Sequence, residues 1–131
     1  MTFANPFGFP IFHEIIENGE ELAENLCKDA YDLRDDDPNG KLISNAWHKF
    51  DRAKSKEDYK EHGYTSHGAY QLSSDERFEG IHKAAVAQAQ KYTKNLEADP
   101  KFYITNSWVS IYGNGHFAPE HIHSFAHLAC V

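Results

Sequence analysis

The hydrophobic repeat of this 131-residue chain changes period at residues 98–100, and that change constrains the fold more than any other feature. Upstream, Phe78, Ile81, Ala85, Ala89, Tyr92 and Leu96 recur at spacings of three and four, which places apolar side chains along one face of an α-helix. Ser73 and Glu76 stand at capping-box spacing ahead of this stripe, and Ala98-Asp99-Pro100 ends it. Downstream, KFYITNSWVSIYGNG is rich in aromatic and β-branched residues, which suit a pleated, half-buried surface, and it closes on a Gly113-Asn114-Gly115 turn. The spacing predicts a helix over 74–97 and a strand over 102–112. A second extended segment is expected from near Glu120. Helices followed by strands within one chain point to the α+β class.

The N-terminal part holds one more helical stripe. Leu22, Leu26, Ala30 and Leu33 share a face, and Glu20, Glu21 and Glu24 occupy the first turns, where the helix dipole favours carboxylates. A helix over 18–34 follows, with Cys27, beside Leu26, expected in the core. The run DDDPNG at 35–40 breaks it. From Leu42 to Gly68 no period is sustained, which reads as a loop. His48, His62 and His67, with Tyr59, Tyr64 and Tyr70, are expected at its surface; a substrate-covering loop is the functional alternative. The opening MTFANPFGFPIF alternates apolar with small residues, which suits a short edge strand near Phe9–His13.

One core accounts for the whole length, so residues 1–131 are read as a single domain with a helical part over 1–100 and a strand-rich part over 101–131. With 13 Lys+Arg against 20 Asp+Glu the formal charge is −7, and no basic cluster stands out. Phosphate backbones and anionic membranes are bound chiefly through cationic contacts, so neither is expected as a partner. No run reaches the ~20 apolar residues of a membrane span, and the first residues lack the pattern of a signal peptide, so a cytoplasmic location is expected. Cys27 and Cys130 are too few and too far apart for a disulfide framework and read as free thiols.

Of the 9 histidines, four fall within GHFAPEHIHSFAHLACV: His116, His121, His123 and His127. In an extended strand, residues two apart point to one face roughly 6–7 Å from each other, so His121 and His123 can reach a single metal ion while Ile122 faces the opposite layer. Imidazole suits Fe, Zn, Ni and Cu alike. Two solvent-facing histidines on an edge strand are the bland alternative. His127 would share their face if the strand ran straight, which makes it a candidate third ligand.

The stretch ITNSWVSIYGNGHFAPEHIHSFAHLACV resembles a branch of the Fe(II)/2-oxoglutarate-dependent dioxygenases. Members of that branch show a Trp-bearing strand, a Gly, and a His-x-His-Pro segment leading into an apolar Ser-Gly-Val-Tyr-Tyr strand. Trp108 stands in the Trp-bearing strand, Gly115 at the Gly, and His121 and His123 at the two metal-ligand places. Ser124 replaces the Pro, and Ala129-Cys130-Val131 the Ser-Gly-Val. Ser44-Asn45 and Trp47 upstream are similar in order and spacing. The resemblance implies a double-stranded β-helix of the cupin or jelly-roll type with the N-terminal helices packed on its first strands, Fe(II) and 2-oxoglutarate as cofactors, and oxidation of a small or unidentified substrate.

Most of the wider superfamily holds iron with His-x-Asp/Glu and a distant His, whereas the second position here is His123. Asn106, Ser110 and Tyr112 share one face of the expected 102–112 strand and are the candidates for binding the co-substrate carboxylate. A jelly roll needs eight strands, and residues 101–131 provide two or three, so the chain is expected to be a fragment, inactive alone, that pairs through its C-terminal strand edges as a homodimer. The alternatives are a non-catalytic metal- or partner-binding α+β protein on a degenerate oxygenase scaffold, and a small complete α+β domain with an incidental histidine cluster.

Overall fold

Both expected helices form. The computed structural model describes residues 2–4, 11–43, 52–68, 70–94, 99–117 and 128–130. Helix α1 spans Gly19–Asp36, entered through Asn18 in the left-handed region (φ 58°), which Asn tolerates better than most residues. Its inner face carries the stripe read from the sequence, with Leu33 fully buried and Leu26 packed on the core. Cys27 is exposed, not buried as expected. One residue along a helix is a turn of about 100°, which carries Cys27 off the face that Leu26 buries. The helix stops at Asp37, whose backbone turns extended (ψ 106°) because the following Pro38 disfavours helical geometry.

The second stripe becomes a helix that begins later than the spacing predicts. Two 3₁₀ turns, Leu72–Ser74 and Glu76–Phe78, precede a helix at Glu79–Lys94. The cap is Asp75 rather than Ser73: its carboxylate accepts the Arg77 N–H at 3.0 Å and the Arg77 guanidinium at 2.7 Å. Those turns drive Leu72 and Phe78 into the core.

The described part of the stretch 42–68, residues 42–43 and 52–68, is more ordered than its composition indicates. It holds a short helix at Asp58–His62 and a central strand at Tyr64–Thr65. Calling the helices α1, α2 (Asp58–His62) and α3 (Glu79–Lys94), and the strands β1 (Thr2–Ala4), β2 (Ile11–His13), β3 (Lys41–Leu42), β4 (Tyr64–Thr65) and β5 (Ser110–Ile111), two sheets result among the described residues. β1 and β2 make an antiparallel pair, and β3-β4-β5 a three-stranded antiparallel sheet. Among the described residues the protein is thus mixed α+β, with three α-helices around a small antiparallel sheet. The β1-β2 pair is tied to α3 by a Glu14–Lys91 ion pair at 2.7 Å and an edge-to-face Phe12–Tyr92 contact. The lysine holds the Glu14 carboxyl below the ordinary glutamate range.

The core sits where α1, the 3₁₀ turns and the sheet meet: Leu33, Tyr59, Tyr64, Leu72 and Phe78. Tyr59 and Tyr64 are therefore core residues, contrary to the surface expectation. Tyr64 has no exposed surface, donates its hydroxyl to Asp37 at 2.9 Å and meets the Tyr59 ring edge-on at 5.2 Å. A tyrosine can be buried when its polar tip finds a buried acceptor.

The strand expected over 102–112 is confined to Ser110–Ile111. Ahead of it the backbone is held by Ser66, through both its side chain and its backbone: Val109 N–H donates to Ser66 Oγ (3.0 Å), and Ser66 N–H donates to the Val109 carbonyl (3.0 Å). Among the described residues no helix is long and apolar enough to cross a membrane.

Candidate functional site

His121 and His123, with His127 and Glu120, lie outside the described residues, as do Ser44, Asn45 and Trp47. Ahead of that segment in the chain, β5 and the turn after it are described. Among the described residues β5 is an edge strand of its sheet, and Ser110 is paired with Thr65 across it. The two hydroxyls are 3.0 Å apart, and Thr65 Oγ1 also contacts the Val109 carbonyl and accepts the His67 N–H. Thr65 and Ser66 are buried, so every polar atom at this junction needs a partner and β5 is held in one register.

The three residues expected to bind a co-substrate carboxylate are differently placed. Ser110 is half-buried and engaged with Thr65; Asn106 and Tyr112 are exposed. Trp108 is half-buried with the His67 ring edge-on at 4.7 Å, and His67 is accordingly not a plain surface residue. Among the described residues, no group of three or more His, Cys, Asp or Glu side chains is arranged to hold a metal ion.

Beyond β5 the chain turns at 113–116, with Gly115 at φ 81° and His116 N–H donating to the Gly113 carbonyl at 3.1 Å. The Gly-Asn-Gly turn read from the sequence is present, with Gly where positive φ is required. The His116 side chain then closes on both sides. Its Nδ1 accepts the Gly113 N–H at 2.7 Å, and its Nε2 lies 2.7 Å from the Glu61 carbonyl oxygen. Because the first partner only donates and the second only accepts, the ring holds its proton on Nε2. Sequence reading counted His116 in the cluster and missed this role. The signal available was its position at the end of a glycine turn.

Two clefts lie elsewhere. A groove of about 540 Å³ runs along α3, lined by Glu76, Glu79, His82, Lys83 and Val86 among others. At its edge His82 Nε2 and Ser107 Oγ are 2.9 Å apart, which fastens the 102–109 segment to α3. A smaller cleft of about 120 Å³ lies over Asp37 and Tyr59. Neither Asn106, Ser110 nor Tyr112 lines either one.

The described residues define a small mixed α+β protein, and a histidine-rich segment follows β5 in the sequence. No family model matches this chain, and no curated protein or solved structure does so either.

Proposed function

We propose that this protein binds a divalent transition metal through His121 and His123, in the manner of the Fe(II)/2-oxoglutarate oxygenases. The observation carrying this reading is the order of Trp108, the Gly113-Asn114-Gly115 turn and the His121-Ile122-His123 motif along the chain. The donor chemistry fits: imidazole nitrogens are ordinary ligands of Fe(II), and His127 is the third candidate. Iron with bound 2-oxoglutarate supplies, with oxygen, the capacity to oxidise a substrate C–H bond. The chain's own contribution is the anchored strand β5, the hydroxyl junction of Thr65, Ser66 and Ser110 beneath it, and the turn that leads into the ligand segment. In this reading β3-β4-β5 opens a double-stranded β-helix, and the exposed, unbridged thiols of Cys27 and Cys130 accord with a reducing, cytoplasmic setting. The C-terminal strand edges, with the edge that β5 presents among the described residues, are the pairing surface for a homodimer.

One observation favours a non-oxidising version of the same site. The Ser110 hydroxyl is taken by Thr65, and Asn106 and Tyr112 face solvent rather than a cleft. In that version the protein binds metal without co-substrate.

Anaerobic titration with Fe(II), followed by 2-oxoglutarate, separates the two. Metal binding with growth of a charge-transfer band supports the oxygenase, and metal binding without the band supports the non-oxidising version. Absence of metal binding, or equal binding by His121→Ala/His123→Ala, sinks both.

A further inference from the structure

We propose that the cleft between the C-terminal end of α1 and the turn ahead of α2 binds a single phosphoryl group, carried as inorganic phosphate or as a small phosphate monoester. The proposal is independent of the metal reading above. The cleft holds about 120 Å³, the space of about four waters at ~30 Å³ each, and a phosphoryl group presents four oxygens. That volume leaves no room for a nucleoside.

Tyr59 is the residue that points to a ligand. It is 8% exposed and lines the cleft, yet its hydroxyl has no hydrogen-bond partner among the described residues. Nor is that oxygen sealed from solvent. The ring meets Tyr64 edge-on, and Gly40 lies against the hydroxyl. Both polar backbone groups of Gly40 are already used, its N–H by the Asp37 carbonyl (3.4 Å) and its carbonyl by the Ala53 N–H (3.1 Å). Burial raises the Tyr59 phenol above the ordinary tyrosine range, and after burial the charges of Asp37, Arg34 and Asp35 act on it. All three line the cleft, so the hydroxyl stands at the cleft end of the ring. A tyrosine buried this deeply ordinarily gives its O–H to an acceptor, and the cleft is the side from which one can come.

The charge around the cleft selects an anion. Arg34, Lys54 and Lys56 line it against two carboxylates, Asp35 and Asp37. Both carboxylates are engaged: Asp37 by the Tyr64 hydroxyl (2.9 Å) and the Asn39 N–H (2.8 Å), Asp35 by Nε and Nη2 of Arg34 (2.9 Å each). Neither lysine ammonium has a partner among the described residues. Arg34, and after it Lys56, holds the Asp35 carboxyl below the ordinary aspartate range, which places the Lys56 charge beside the guanidinium. The turn carrying the lysines is fixed, because the Lys54 and Ser55 N–H groups donate to the Asp58 carboxylate at 2.7 and 3.1 Å. The end of α1 adds roughly half a negative charge, less than the excess of one cation, so the cleft stays positive. The overall charge of −7 disfavours long phosphate backbones, whereas one phosphoryl group needs only local positive charge and donors such as these.

Amide NMR shifts of the full chain, titrated with sodium phosphate at constant ionic strength, test this. The wild type should saturate with a Kd on the order of 1 mM, with the largest shifts in 34–40 and 53–59. Lys54→Gln/Lys56→Gln, which alters only exposed side chains, should bind about tenfold more weakly. Lys83→Gln/Lys94→Gln removes the same charge from α3, outside the cleft, and should bind as the wild type does. Tyr59→Phe removes a hydroxyl that the protein itself does not use, so its urea midpoint should stay near that of the wild type while affinity falls about tenfold. Methyl phosphate distinguishes the sources: binding at least as tight as that of phosphate marks an ester as the ligand, and loss of binding marks the free ion. Absence of saturation, shifts confined to other parts of the chain, or equal affinity in Lys54→Gln/Lys56→Gln overturns the proposal. A Tyr59→Phe protein that loses stability but not affinity overturns it as well, for the hydroxyl then serves the fold. None of these outcomes bears on the metal reading.

Discussion

Tyr64 shows how one side chain decides the middle of this protein. Its ring has no exposed surface and its hydroxyl reaches the Asp37 carboxylate, a residue 8% exposed that also accepts the Asn39 N–H at 2.8 Å. Removing the hydroxyl leaves a buried carboxylate oxygen short of a donor, so Tyr64→Phe should cost about 1–3 kcal/mol in urea unfolding at neutral pH. Burial, then the Asp37 hydrogen bond, push the Tyr64 phenol well above the ordinary tyrosine range. The folded protein therefore keeps that proton when the unfolded chain loses it, so stability is full below about pH 10 and falls as pH rises beyond. The alkaline loss should be shallower in Tyr64→Phe; an identical slope would contradict the assignment. Tyr59, whose phenol is raised chiefly by burial, accounts for part of what remains. Gly40 belongs to the same cluster, for a Cβ there would run into the Tyr59 hydroxyl and lie 2.9 Å from Tyr64 Cε2. Gly40→Ala should destabilise by about 1–3 kcal/mol, the usual cost of overpacking, read as a lower urea midpoint.

Helix α3 depends on what precedes it. Asp75 accepts the Arg77 N–H, the Arg77 guanidinium and, at 3.0 Å, the Tyr70 hydroxyl, so one carboxylate holds both 3₁₀ turns that deliver Leu72 and Phe78 to the core. The Arg77 bond is foremost in holding the Asp75 carboxyl below the ordinary aspartate range. A lowered folded pKa contributes stability that is present above the unfolded value, near pH 3.9, and is lost as pH falls through the folded one. Asp75→Ala should therefore cost about 1–2 kcal/mol at neutral pH and flatten the acid limb of the stability curve, both measurable by urea unfolding across pH. The stripes of α1 and α3 were legible in the sequence because a helix repeats a local rule over many residues. The start of α3 was not, since Ser73-Glu76 and Asp75-Arg77 offer competing caps and Phe78 settles the choice by entering the core. The burial of Tyr64 was not legible because it depends on Asp37, 27 residues away in sequence, and Tyr59 is buried with it through the ring contact between the two. Strand 102–112 failed for a similar reason: Ser66, from another part of the chain, supplies the hydrogen bonds that a longer ladder would have made. At the candidate site, motif order was legible, and so was the glycine turn. The use of His116 was not, because its partner Glu61 is 55 residues away.

For the molecule as a whole, net charge and open sheet edges pull in opposite directions. Among the described residues β5 is bonded to β4 on one side only, which leaves it as an edge of the three-stranded sheet, and the neighbouring Tyr112 (44% exposed) and Phe117 (68% exposed) add apolar surface. Such an edge favours pairing with a second copy. Each copy, however, carries a formal charge of −7, and like charges of that size oppose association until salt screens them. The pairing edge is only two residues long, so backbone bonds alone contribute little, and the balance should respond to ionic strength. Light scattering from about 0.02 to 0.5 M NaCl should show mass rising from monomer toward dimer as the Debye length contracts from tens of ångströms to a few. Tyr112→Ser and Phe117→Ser should shift that rise to higher protein concentration without altering the far-UV spectrum, since both side chains already face solvent. A single monomeric mass at every salt concentration, at the highest protein concentration attainable, would remove the homodimer. A dimer that dissociates as salt is added would instead place charge pairs, rather than the β5 edge and its aromatics, at the interface.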